Sequence, residues 1–397
     1  MVRISALSAA GLALAGCVSA HPGEHHSHEH MKRNIQLRDN VAAVGQRSLN
    51  ACSNTAGAQA MKKRAVERRA QKVKDIRAAK GLKTPARKYR RDADALTAWE
   101  EVNHNMTGSS NNGIFTPLED VFSANTSCVL APEITDGPYY IVGENMRSNV
   151  IEDTNIEQQW CDGVPVFLEV QYVDVATCDP IPQVAVDIWN CNATGIYSGI
   201  STSGNYAADG MNSTFLRGIQ LTDADGVAQF ETIFPGHYQG RATHTHLLSH
   251  TNATLMPNGT ISVWNAPVSH IGQVFWPESI RSAVEELYPY NTNTQDVTSN
   301  ADDMWSILQA DASYDPFPQF VYLSDDLQDG LFAWIQIGVN ASADYTDDDY
   351  YNIAGYLDED GGHSTGATVG GGGGSGGPGG NGTMSGSPPS GTAAPPS

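Results

Sequence analysis

No lysine occurs after residue 91, and only four arginines do: Arg147, Arg217, Arg241 and Arg281. The same stretch holds 39 of the 44 acidic residues, a net charge of −35. A surface so short of cations repels polyphosphate and anionic lipid, which excludes nucleic acid and membranes as partners of this part of the chain. Long apolar runs are also missing. The run Ile4 to Val18 is too short to span a bilayer, and no later segment is longer. It follows Met1-Val2-Arg3 and ends in Val18-Ser19-Ala20, the form of a secretory signal peptide over residues 1–20. A secreted, extracellular protein is expected, and N-x-S/T sequons at Asn105, Asn125, Asn192, Asn212, Asn252, Asn258, Asn340 and Asn381 suit that route.

The cations that the body lacks are gathered ahead of it: 18 of the 23 Lys and Arg fall between Lys32 and Arg91. Residues 60–79 are rich in Ala and Arg and free of Pro and Gly, which predicts a helix ended by Gly81 and Pro85. Opposite charge makes this segment a clamp on the acidic body or a propeptide, with a solvated helical extension as the plainer reading, and the dibasic pair Arg90-Arg91 favours removal before Asp92. Cysteine is scarce, six in all, with Cys17 in the signal. If residues 21–91 leave, taking Cys52 with them, four remain, enough for two disulfides among Cys128, Cys161, Cys178 and Cys191. Cys161 and Cys178 flank one extended run, so each is expected to pair with Cys128 or Cys191 instead. If the segment stays, Cys52 is free, intermolecular or bonded to the body. His21 to His30 contains five histidines and has the composition of a metal-scavenging tail. Residues 361–397, rich in Gly, Ser and Pro, read as a flexible end without a lipid-anchor signal.

Residues 92–360 read as one all-β domain. Val164 to Val175, Gln183 to Trp189, Phe215 to Leu221, Val227 to Ile233, Thr243 to Leu248, Ile271 to Phe275, Phe320 to Leu323 and Leu331 to Val339 have strand composition, several with period-two alternation. Asp223-Ala-Asp225-Gly226 marks a hairpin. Short strands punctuated by turns predict a β-sandwich or barrel, with short helices at Pro277 to Leu287 and Asp302 to Ala310.

Four segments carry chemistry: Thr135 to Tyr140 (TDGPYY), Val186-Asp-Ile-Trp189 through Tyr197-Ser198, Pro235-Gly-His-Tyr238, and Arg241-Ala-Thr-His-Thr-His246. On a strand, residues i and i+2 share a face, so His244 and His246 can aim both imidazoles at one point. Two neutral imidazoles with two phenolates give two negative charges and hard oxygen donors, a set that suits Fe(III) better than Zn(II) or Cu(I).

In this order the segments resemble the intradiol ring-cleavage dioxygenases, most nearly the secreted, fungal-type branch, over about residues 128 to 340. The resemblance implies a β-sandwich with the metal among loops and strand ends. It implies one Fe(III) per chain held by Tyr197, Tyr238, His244 and His246, with a catechol-type diol and O2 as substrates and a muconate-type diacid as product. Arg241 would stabilise negative charge building on the ring, and Gln273, in the Ile271 to Phe275 strand, would bond substrate or oxygen. Tyr139, Tyr140 and Trp189 would line the pocket. The competing account of Arg241 is a pair with one of the many carboxylates. Strict alternation would set Arg241 opposite His244, so Gly240-Arg241 must be loop. His237, beside Tyr238, could serve as an alternative ligand. Arg217 has a weaker match and could simply hold the hairpin. The sequence leaves a homodimer open. A different class of protein, a secreted β-sandwich binding metal or carbohydrate without catalysis, would be colourless where ferric tyrosinate is not.

Overall fold

The computed structural model describes residues 44–45, 47–83, 129–130, 134–151, 162–200, 210–257, 261–263, 266–309, 315–347 and 351–366. The expected all-β architecture forms. One sheet has the order β1 (Val129–Leu130), β12 (Leu331–Val339), β3 (Pro165–Asp174), β6 (Val227–Ile233), with β11 (Gln319–Tyr322) also paired to β12. The second runs β10 (Val268–Phe275), β7 (His244–His250), β4 (Ala185–Trp189), β5 (Arg217–Leu221). Period-two alternation packs them together. Val166, Leu168 and Val170 of β3 meet Val186 and Ile188 of β4 and Leu247 of β7 in one buried cluster. Ala185, Asp187 and Trp189 of β4 therefore face away from that core, as do His244, His246 and His250 of β7.

This outer face is itself buried, under Tyr139, Tyr140, Tyr197 and Tyr238 from loops. A small sheet of β2 (Ile141–Val142), β13 (Gly355–Asp358) and β14 (Gly361–Ser364) lies beside them, and β8 (Thr254–Leu255) with β9 (Ile261–Ser262) forms a ribbon. The boundary expected at residue 361 thus falls inside the β13–β14 hairpin. Its glycines read as tail by composition, but Gly355 and Tyr356 pair with Ile141 and Val142. The two short helices are α2 (Glu278–Glu285) and α3 (Met304–Gln309).

The basic segment forms α1 (Ala56–Lys80), started by the Thr55 hydroxyl accepting from the Ala58 amide and stopped by Gly81 in the left-handed region. Its buried residues, Ala58, Met61, Ala65, Arg69, Ala70, Val73 and Ile76, recur mostly at intervals of three and four, and this face lies on the first sheet. Ala70, Val73 and Ile76 pack with Phe167, Val321, Leu323, Phe332 and Trp334. Beside them the buried Glu169 of β3 accepts from Arg69 Nε at 2.7 Å, from Arg68 Nε and Nη2 at 3.0 Å, and from Gln229 Nε2 at 2.9 Å. Arg64 meets Asp225 at 2.7 Å. In this structure the segment is docked on the body through both charge and apolar packing.

The expected disulfides are corrected here. Cys178 bonds Cys52, with Cα atoms 5.7 Å apart, and Cys191 is free and buried. Docking α1 brings Cys52 to the body, so counting cysteines as though that segment had left gave the wrong set. Cys128 and Cys161 lie outside the described residues, as do the expected signal peptide (residues 1–20), His21 to His30, Arg90-Arg91 and Asn105, Asn125, Asn258 and Asn381. Asn192 is no usable glycan acceptor in the fold, because it is buried and its Oδ1 accepts from the Thr194 amide and hydroxyl and the Ile196 amide. Among the described residues no helix is long and apolar enough to cross a membrane.

Candidate metal centre

β7 begins at His244, so His244 and His246 lie on one face, and their Nε2 atoms approach to 3.0 Å. His244 Nδ1 sits 2.6 Å from the Ala242 carbonyl. That carbonyl can only accept, so Nδ1 carries the proton and Nε2 presents a lone pair to the site. Tyr238 Oη lies 3.3 Å from the same Nε2. Its loop is a tight turn, with Tyr238 bridged to Arg241 and Gly240 at φ 87°, so Gly240-Arg241 is loop as expected. Tyr197 comes from the loop after β4, its ring centroid 5.5 Å from that of Tyr238 and 6.3 Å from that of His246. The structure thus brings Tyr197, Tyr238, His244 and His246 together.

Two glycines let the tyrosine loops meet. A Cβ on Gly236 would stand 2.3 Å from the Ala193 carbonyl oxygen, and one on Gly195, at φ 80°, 2.4 Å from that of His237. Gln295 clasps both loops: its Nε2 donates to the Thr194 carbonyl at 3.0 Å, and its Oε1 accepts from the Gln239 amide at 3.3 Å. His237 turns away from the cluster, with Nδ1 2.8 Å from Glu285 and Nε2 2.9 Å from the Gln295 carbonyl. It is therefore not the alternative ligand. Burial alone would lower its pKa, but Glu285 raises it above the ordinary value.

Burial pushes both phenols well above their ordinary pKa, and for Tyr197 the neighbouring Tyr238 and Cys191 add to it. Arg241 opposes burial at both. The Tyr197 hydroxyl is sealed from solvent and makes no well-aligned hydrogen bond among the described residues, although its closeness to the Tyr238 phenol still affects its pKa. Among the described residues no three His, Cys, Asp or Glu side chains converge, so the donor set is imidazole and phenol. The His244 lone pair, the neighbouring His246 imidazole and two buried phenols fit a hard, highly charged cation, while Arg241 favours the ionised phenols.

Arg241 is wholly buried. Its Nε donates to Asp303 Oδ2 at 3.0 Å and its Nη2 to Gln273 Oε1. Gln273 is held in turn by Nε2 donating to the Thr135 carbonyl at 2.9 Å, and its amide donates to Gln309 Oε1 at 3.0 Å. The carboxylate pair is thus present, and the same guanidinium also bears on both phenols. Of the expected pocket residues, Tyr139 abuts Tyr197, with centroids 4.7 Å apart. Trp189 instead stacks flat on His246, at 4.6 Å and 5°. Tyr140 packs behind it at 5.0 Å, its hydroxyl 2.9 Å from His250 Nε2. Trp189 thus backs His246, and Tyr140 backs Trp189. Asp303, Gln309 and Gln295 escaped the sequence reading as site residues, although the first two lie in the helix expected at Asp302 to Ala310; Thr135 opens a segment singled out there, without a role of its own.

A family model described as Dioxygenase matches residues 135–256, which span all four ligand candidates. Among solved structures, the chain is 31% identical to an intradiol ring-cleavage dioxygenase from Tetranychus urticae, over 55% of this chain and 97% of that one, with a TM-score of 0.45. It is 20% identical to the dioxygenase domain of a dioxygenase carbohydrate-binding protein fusion from Streptomyces sp. SirexAA-E, over 54% and 99%, TM-score 0.34. It is 19% identical to catechol 1,2-dioxygenase from Pseudomonas arvilla C-1, over 53% and 62%, TM-score 0.33. No curated protein matches.

Proposed function

The chain belongs to the intradiol ring-cleavage dioxygenases, and from that premise we propose that it is a secreted Fe(III) enzyme that opens catechol-type diols between their two hydroxyls. The product is a muconate-type diacid in which both atoms of O2 are retained. The observation that carries this reading is the convergence of the His244 and His246 Nε2 atoms, 3.0 Å apart, with the Tyr238 hydroxyl 3.3 Å from the first. Tyr197, Tyr238, His244 and His246 would hold one iron. When bound, ferric iron supplies a Lewis-acidic centre for both catechol oxygens and makes the ring reactive toward O2.

The chain's own residues do the rest. The His244 bond to the Ala242 carbonyl and the Trp189 stack on His246 fix both imidazoles before any ligand arrives. Burial raises both phenols well above their ordinary pKa, so each keeps its proton until a cation binds and would release it on doing so. Arg241, locked by Asp303 and Gln273, offers a fixed positive charge where the ring gains negative charge during reaction. Export is supported by residues 1–20 and by the Cys52–Cys178 disulfide, which suits an oxidising compartment. The test is metal analysis and a visible spectrum, then O2 uptake and product mass against a panel of catechols. Ring-opened products heavier than substrate by O2 are expected. A colourless, zinc-filled protein from iron-replete medium would refute the reading.

A further inference from the structure

Arg217 stands outside the donor set, yet it is bound to the loop that carries one of its members. It opens β5 and pairs with Trp189, which pairs with His246, which pairs with Gln273. These four residues form one row across the sheet, on the site's face. Arg217 is 1% exposed. Its Nε donates to the Ser198 carbonyl and hydroxyl, both at 3.1 Å, and its Nη2 to the same carbonyl at 2.8 Å. The Ser198 hydroxyl donates in turn to the Phe215 carbonyl at 2.6 Å. Ser198 is therefore gripped from two sides, one residue after Tyr197. Space at this contact is tight, since a Cβ on Gly199 would stand 2.7 Å from Ile141 Cδ1 and 3.4 Å from Arg217 Nε.

Charge balance does not account for this geometry. Nη1 reaches Glu144 Oε1 at 3.4 Å, and Asp187, facing the same side from β4, is also buried. Burial and the neighbouring Glu144 push the Asp187 carboxyl well above its ordinary pKa, so one positive charge answers about one negative. A lysine could meet that need as well as an arginine. What a lysine cannot do is span a carbonyl and a hydroxyl with a rigid fork while keeping contact with Glu144.

We propose that Arg217 is the positioning residue for Tyr197: by fastening Ser198 it sets where the Tyr197 oxygen lies relative to the two imidazoles. This rests on the metal-centre reading given above. The test variant is Arg217→Lys, with Ser198→Ala as the second should the first fail to fold. In the iron-loaded protein, kcat should fall roughly 10–100-fold with KM little changed, and the ferric-tyrosinate band should shift in wavelength. In a Tyr197→Phe background, Arg217→Lys should add no further loss, because both act through one phenol. In the iron-free protein, amide exchange over residues 192–200 should speed up while that of β3 and β12 does not change. Wild-type band, turnover and exchange in Arg217→Lys would overturn the proposal and leave Arg217 as a neutralising charge only. An absence of any band from iron-supplied wild type would sink the metal reading instead, and exchange in the iron-free protein would still decide whether Arg217 fixes the Tyr197 loop.

Discussion

Replacing Glu169 with Gln should loosen the basic helix from the body by an amount the structure allows to be worked out. Glu169 is fully enclosed, and its carboxylate accepts from Arg68, Arg69 and Gln229. Burial alone would raise its pKa, but Arg69 and Arg68 override this and hold it at about 2, against an ordinary 4.5. At about 1.4 kcal/mol per unit, that difference is worth roughly 3 kcal/mol at neutral pH. The mutational figure for leaving a buried partner charge uncompensated is similar, about 3–5 kcal/mol, and Arg69 would be that partner. The sign follows from the depressed pKa. The contribution is complete above about pH 5 and is lost as pH falls through about 2. Urea unfolding of wild type and Glu169→Gln at pH 7, 4 and 2.5 should show a gap of about 3 kcal/mol that narrows steadily toward acid, with Tm lowered by about 6–12 °C at pH 7. A gap under about 0.5 kcal/mol at pH 7, or one that persists undiminished at low pH, would refute the reasoning.

Three further outcomes are expected. His246→Ala should lose iron and visible colour together, measured by metal analysis and absorbance, because it removes one of the two imidazoles that converge among the described residues. Arg241→Gln should keep iron and colour but lower kcat by about 10²–10³, with a smaller change in KM, since a fixed charge helps most where charge develops; normal turnover would reduce Arg241 to a partner of Asp303. Cleavage after Arg91, if it occurs in the secreted protein, should leave a two-chain molecule: intact mass should drop by the α1 fragment only after reduction, because Cys52 stays bonded to Cys178.

The strands that sequence revealed were those whose pattern is local. β4 alternates in sequence, and on β7 the His-x-His spacing alone gives His244 and His246 a shared face by counting by twos. β13 and β14 gave no such signal, because Gly355 to Ser364 has too few side chains to alternate and owes its order to pairing with Ile141 and Val142, more than 200 residues earlier. The same division runs through the site. His-x-His is one strand's periodicity, and the two tyrosines came with motif segments. Asp303 and Gln295 join elements 62 and 101 residues apart, Arg217 reaches Ser198 across 19, and nothing in the local sequence of either partner names the other. Cys52 was misjudged for a related reason. Its partner is 126 residues away, on the far side of a helix docking that charge complementarity allowed but could not place.

The shortage of cations in the body gains a meaning from where the four arginines stand. Arg241 ties the start of the His-x-His strand to Asp303 and Gln273. Arg217 ties the Tyr197 loop to the sheet. Arg281 holds Glu278 at 2.6 Å and the Thr298 carbonyl at 2.6 Å, while the Thr298 hydroxyl accepts from the Gly240 amide at the Tyr238 turn. Arg147 donates to the Arg217 and Thr214 carbonyls at 3.0 and 2.7 Å, bracing the strand from which Arg217 reaches the site. Each uses at least two nitrogens on different acceptors, which a planar fork can do and a single ammonium cannot. The body therefore keeps its few guanidiniums as fasteners of the loops and strands around the metal centre. Its acidic surface is left without internal cations to balance it, and among the described residues the basic surface that lies against it is the α1 helix.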